Sequence, residues 1–212
     1  MKNFGFTLAE VLVTLGIIGV VAALTVPNLK INTANAQIGP ALGKAVSVFE
    51  QANEVMLDEK GCDSISKCGF ANAGDYIEDL VDYIKSSIAG NITSVYDGVT
   101  YTGLRAKDGA MYLVGFANPI PAPVDRMHPN RNYIGTVQID INGTSDPNAV
   151  GEDHFVFGLF DDGSLRPKGH ADWNGGNNGT IWQDTCKVKQ IPTHPEDCTA
   201  HIFDNNMKAL YK

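Results

Sequence analysis

The feature that most constrains this chain is Gly5-Phe6-Thr7-Leu8-Ala9-Glu10, followed without a break by the apolar run Val11 to Val26. Ahead of it stand Met1, Lys2, Asn3 and Phe4, a short leader with one basic side chain. An α-helix rises about 1.5 Å per residue and a bilayer core is about 30 Å thick, so roughly 20 apolar residues cross it. Phe6 to Pro27 meets that length. A run apolar on all faces reads as a membrane span before it reads as a buried core helix. Glu10 is its one full charge, and no Lys, Arg or His lies within the stretch to meet it. A carboxylate in lipid is costly without a proton or a partner. Cutting the chain after Gly5 makes a partner, because the α-amino group of Phe6 then lies about one helical turn from Glu10. In an assembly the same amine meets the Glu10 of a neighbouring chain.

These residues resemble the class III leader of type IV pilins, type II secretion pseudopilins and related pilin-like proteins. The resemblance rests on the Gly5-Phe6 junction, on a Glu five residues after the Gly, and on the uninterrupted apolar helix. It implies that prepilin peptidase, a membrane aspartyl peptidase, cuts between Gly5 and Phe6 and that the new amino terminus is methylated. It also implies storage in the cytoplasmic membrane as a single-pass protein with a periplasmic or extracellular C-terminal domain. From there the chain joins other pilin or pseudopilin subunits through its N-terminal helix, with Glu10 as the assembly residue. Two other readings of the same stretch are a secretory signal peptide ending at Ala34-Asn35-Ala36 and a plain single-span anchor. A signal peptide's apolar region is about 7–15 residues. This run is longer, carries Glu10, and ends well before that tripeptide.

A chain of 212 residues holds one ordinary globular domain plus an anchor. The predicted parts are a leader at 1–5, a transmembrane and amphipathic helix at 6–57, and a globular domain at 58–212. The helix continues beyond the membrane because Ile31, Ala34, Ile38, Leu42, Ala45, Phe49, Ala52 and Met56 recur at three- and four-residue steps, with Lys44, Glu50 and Glu54 off that stripe. Pro27 and Gly39-Pro40 interrupt its bonding, and a fresh helix starting at Pro40 is the alternative. A loop is expected at Asp58 to Ala73, then a helix at Asp75 to Ile88 opened by an Asp75/Glu78 capping box. Strand patterns follow at 95–104, 110–117, 133–141 and 154–160, separated by Asp97-Gly98, Asp108-Gly109, Asn142-Gly143 and Asp162-Gly163. Pro119, Pro121, Pro123 and Pro129 mark 118–132 as an exposed loop. The expected fold is α+β and pilin-like, a long N-terminal α-helix packed on an antiparallel β-sheet.

A formal net charge of −8 with no basic stripe argues against nucleic acid as a partner. The four cysteines fall into two pairs, Cys62 with Cys68 and Cys186 with Cys198. Neither pair has the Cys-x-x-Cys spacing of a zinc site, so two disulfides in an oxidising compartment are expected, with the crossed connectivities left open. Asp140, Asn142 and Asp146 place oxygen ligands at alternate positions and are the candidate calcium ligands. The spacing departs from an EF-hand, since Ser145 and Gly151 occupy the positions of its glycine and its bidentate Glu. A turn whose Asp and Asn fix local backbone is the alternative. The five histidines fall at no metal-helix spacing, and no nucleophile or phosphate-loop motif is present, so no enzyme is expected. Trp173 and Trp182 are candidates for a recognition surface or for plugs of their own domain edge. The resulting functional expectation is a structural subunit of a type II secretion or type IV pilus filament. A membrane-anchored envelope binding protein that never polymerises is the alternative.

Overall fold

The computed structural model describes residues 7–84, 86–96, 99–116, 132–146, 148–170 and 198–204, the side chains of 25–36, 86–91, 93–96, 99 and 203–204 excepted. Two compact units, Met1–Gln37 and Ile38–Lys212, divide the chain. Helix α1, Leu8–Lys60, begins in the first and continues into the second, running through Pro40 instead of restarting there. In the first unit Leu8, Leu12, Leu15, Ile17, Ile18, Val20, Val21 and Leu24 are all exposed on a helix that is apolar all round.

In the second unit α1 is amphipathic. Leu42, Ala45, Phe49, Ala52 and Met56, at the expected steps, are buried, while Ile38 is partly buried against the same core. The helix stops at a Schellman motif: Gly61 at φ +65° donates its N–H to Asp58 O (3.0 Å) and Cys62 donates to Leu57 O (3.1 Å). The loop that follows carries a short 3-10 turn at Ile65–Lys67. Helix α2 is Ala73–Tyr83, which corrects both expected ends. Its N-cap is Asn72, whose side chain accepts from the Gly74 and Asp75 amides. Asp75 lies inside the first turn and reaches back to accept from Ala71 N at 3.0 Å, so Asn72 and Asp75 do the work expected of Asp75 and Glu78. At its other end, Ser86 to Ile88 leave the helix for a strand, because pairing with a neighbouring strand outweighs local helical spacing.

Among the described residues the sheet has six strands in sequence order: β1 Ser86–Tyr96, β2 Val99–Ala106, β3 Met111–Phe116, β4 Tyr133–Asp140, β5 His154–Phe160 and β6 Leu165–Pro167. Every neighbouring pair is antiparallel, as strands joined in succession by turns require. The segment expected as one strand at 95–104 is two strands of a hairpin, with Tyr96 opposite Val99. One face of the sheet, built from Leu104, Tyr112, Val114, Val137, Ile139, Phe155, Phe157 and Leu159, shares a single core with α1 and α2. Each fully buried side chain of this kind contributes about 1.5–3 kcal/mol relative to exposure.

Polar ties fix the helices to that face. Phe49 stacks on Tyr112 at 5.7 Å between ring centroids, and the Tyr112 hydroxyl donates to Ala45 O at 3.1 Å. Asn53, fully buried, donates to Phe49 O at 2.9 Å and accepts from the Tyr76 hydroxyl at 2.7 Å, so neither polar group is left unbonded in the core. Burial raises the Tyr76 hydroxyl's pKa despite that bond, keeping it a neutral donor. Gly163 at φ +81° crosses so near that a Cβ there would lie 2.6 Å from the Cβ of Asn53, which explains the glycine of the Asp162-Gly163 turn. A third helix, α3, Cys198–Asp204, lies against β5 and β6. Val156 N donates to Thr199 Oγ1 at 3.1 Å, so the helix supplies an acceptor where the short β6 has ended.

Candidate processing and assembly site

The opening of α1 is a capping box. The Thr7 amide donates to Glu10 Oε2 at 2.9 Å, the Thr7 hydroxyl donates to the same oxygen at 2.7 Å, and Glu10 N donates back to Thr7 Oγ1 at 3.3 Å. Thr-x-x-Glu ahead of an apolar run is the sequence signature of this arrangement. The signature is legible in the sequence, where no Lys, Arg or His of the stretch meets Glu10. Thr7 is a partner, although a neutral one. The expected processing residues Gly5 and Phe6 lie outside the described residues. The expected span Phe6 to Pro27 runs beyond the described side chains at both ends, and among the described residues no helix is long and apolar enough to cross a membrane. The described apolar side chains of the first unit end at Leu24.

Cys62 and Cys68 form a disulfide, with Cα atoms 5.4 Å apart. The closed loop is held to the sheet by Asp161, which is buried: its carboxylate accepts from Ser66 N and from the Ser66 hydroxyl, each at 2.7 Å, and its carbonyl accepts from Ile65 N at 2.8 Å. Ile65 is thereby seated in the core. Cys198 is disulfide-bonded, and its expected partner Cys186 lies outside the described residues, as do Trp173 and Trp182. Non-reducing peptide mapping is expected to recover the 62–68 link, and the double variant Cys62→Ala/Cys68→Ala to lose about 2 kcal/mol in denaturant melts, the low end for a short loop. Free thiols at these positions in protein taken from the cell envelope would refute the bridge.

The expected calcium residues are separated by burial. Asp140 is almost wholly buried at the end of β4, whereas Asp146 is exposed. Asp140 Oδ1 accepts from Asn142 N at 3.1 Å. Burial pushes its pKa up to about 6 and the nearby Asp153 adds to this, while the amides of Asn142 and Gly143 and the Arg105 guanidinium oppose it. Asn142 Nδ2 donates to Asp146 O at 3.4 Å. Asp153 accepts from Asn148 N at 2.8 Å and from Ala149 N at 2.7 Å, tying the loop shut with one carboxylate. Asn142-Gly143, expected as a turn signal between strands, opens the loop that joins β4 to β5. Among the described residues no group of three or more His, Cys, Asp or Glu is placed to hold a metal ion. His154 bonds Gln138 across the β4–β5 pair at 2.9 Å, and burial lowers its pKa.

Comparison with curated proteins and with solved structures found no match. A family of sequence motifs does match: residues 1–26 fit the prokaryotic N-terminal methylation motif. That span contains the Gly5-Phe6 junction, the Thr7–Glu10 box and the apolar start of α1. The motif implies membrane anchoring, processing by prepilin peptidase and assembly with other pilins, and it points to a structural protein. The chain carries, at residues 1–26, the class III prepilin leader of type IV pilin-like proteins.

Proposed function

We propose that this chain is a structural subunit, pilin or pseudopilin, of a bacterial type IV pilus or type II secretion filament. The observation that carries the proposal is the methylation motif at residues 1–26, with Glu10 at the N-terminal end of an exposed apolar helix. In this reading prepilin peptidase hydrolyses the Gly5–Phe6 bond, leaving a carboxylate on Gly5 and an amine on Phe6. The apolar residues of α1 lie in the cytoplasmic membrane until the subunit is drawn into a filament. There they bundle with those of other copies, exchanging lipid for one another. The work is mechanical and needs no catalytic group. The test is intact mass of the protein recovered from cells expressing its own peptidase, together with its yield in the sheared surface fraction. A chain beginning at methylated Phe6 and present in that fraction is expected; one beginning at Gln37 would identify a secretory signal peptide instead. A chain processed at Phe6 yet never assembled would favour the non-polymerising binding protein.

For Asp140, Asn142 and Asp146 we propose backbone fixing in place of calcium binding, since Asp140 and Asp153 already serve the amides of their own loop. The melting temperature of a soluble fragment starting near Lys30 is expected to stay constant across a calcium titration to millimolar. A ligand that prefers the folded state raises it by mass action, so a rise lost in Asp140→Asn would establish a calcium site.

A further inference from the structure

The loop that follows α1 is fixed at both ends by backbone bonds that do not involve sulfur. Cys62 N donates to Leu57 O at 3.1 Å at the helix end, and Cys68 N donates to Ser64 O and Ile65 O, each at 3.2 Å, as the 3-10 turn closes. Between these ends the turn is seated by a residue 95 positions away in the chain. Asp161 Oδ1 accepts from Ser66 N and Oδ2 from the Ser66 hydroxyl, each at 2.7 Å, while the Asp161 carbonyl accepts from Ile65 N at 2.8 Å. Asp161 and Ile65 are both buried. Undocking the loop takes these donors from a buried carboxylate, and a buried acceptor without donors carries its full desolvation cost. The docked position is therefore favoured with or without a bond between the sulfurs.

We infer that Asp161 is a positioning residue for the Cys62–Cys68 couple: by docking Ser66 and Ile65 it holds the two thiols of the reduced chain at bridging distance, so the bridge closes readily and resists reduction. Cys62 and Cys68 are half-exposed, within reach of an external disulfide. Closure is thiol–disulfide exchange. The thiolate of one cysteine attacks the external disulfide and releases one thiol, and the thiolate of the other then attacks the protein sulfur of the mixed disulfide and releases the second. The protein gives up two electrons and two protons, and the external disulfide becomes two thiols. Asp161 acts on the second step, because holding both cysteines in place makes that attack intramolecular and ordered. It lies just past the end of β5, so its help begins once β5 has joined the sheet. The inference stands apart from the filament reading.

The test equilibrates the full chain in detergent micelles with graded glutathione buffers, quenches by alkylation and reads the 62–68 bridge by peptide mapping, for wild type, Asp161→Asn and Ser66→Ala. Ser66 is exposed, so its substitution removes the hydroxyl donor and leaves the core intact. Loss of a hydrogen bond to a charged acceptor predicts a closure constant smaller by about tenfold in each variant, a midpoint less negative by about 30 mV. Should Asp161→Asn fail to fold, Ser66→Ala decides. In urea that unfolds the sheet, all three chains share one constant, because Asp161 no longer reaches the loop. A second measurement removes the sulfurs: in Cys62→Ala/Cys68→Ala the Ser66 amide stays protected from hydrogen exchange, and adding Asp161→Asn exposes it. Equal midpoints for wild type and Ser66→Ala, or a difference that persists in urea, overturns the proposal. So does a Ser66 amide that loses protection once the cysteines are gone.

Discussion

Glu10→Ala is expected to reach the membrane at wild-type levels or above and to fail to enter filaments. The first half follows from the cost of a carboxylate in lipid, which the substitution removes, leaving a purely apolar helix start. The second follows from what is left behind. In an assembled filament the Phe6 amine of one subunit would lose its counter-charge in a medium that solvates it poorly. Breaking a buried pair by deleting one partner costs about 3–5 kcal/mol, about a hundredfold to a few thousandfold in that contact. Loss of the capping box at Thr7 adds to the deficit, because Ala accepts nothing from the Thr7 amide or hydroxyl. Crosslinking yield and shear-fraction yield, measured at matched membrane levels, decide the matter. Equal assembly of wild type and variant would remove the central mechanism of the filament reading. Absence of both from the filament fraction would favour a non-polymerising anchor.

Gly5→Val is expected to abolish processing. A peptidase must bring its catalytic carboxylates and a water onto the carbonyl of Gly5, and a β-branched side chain adds bulk and restricts the backbone at that point. Gly5 is also the residue that separates the charged leader from the apolar run. With the cut blocked, the Phe6 nitrogen stays an amide, no ammonium group forms, and Glu10 has no trans partner. The variant should accumulate in the membrane with Met1 to Gly5 attached and be absent from the shear fraction. Intact mass is the direct measurement. Full processing of Gly5→Val would place the scissile bond elsewhere, and with it the origin of the amine assigned to Glu10.

Much of this protein is legible in its sequence because two periodicities do not depend on distant residues. The step of three and four from Leu42 to Met56 announced the buried stripe of α1, and each of those side chains is in the core. The apolar, β-branched runs at 110–117, 133–141 and 154–160 became β3, β4 and β5, since a strand's alternation is set by its own backbone. The leader motif is local too, and Gly5-Phe6 with Glu10 identified it.

The tertiary structure decided the rest, wherever a distant group competes with local preference. Helical spacing continued to Ile88, yet the chain leaves α2 after Tyr83 because Ser86 and Ile88 pair with Ala106 and Arg105 of β2. β6 is three residues long and ends in Pro167, too short for any pattern; it exists because β5 offers it a hydrogen-bonding edge. Asn53 is a polar residue beside the apolar stripe of α1, and its burial is settled by Tyr76, which arrives from α2 to donate to it, and by Gly163, which crosses close to its side chain. Asp140 and Asp146, alike in sequence as oxygen ligands, differ because the sheet buries the first and leaves the second in solvent. Spacing along the chain fixes which residue types are near one another, while burial and partners from elsewhere in the fold determine what those residues do.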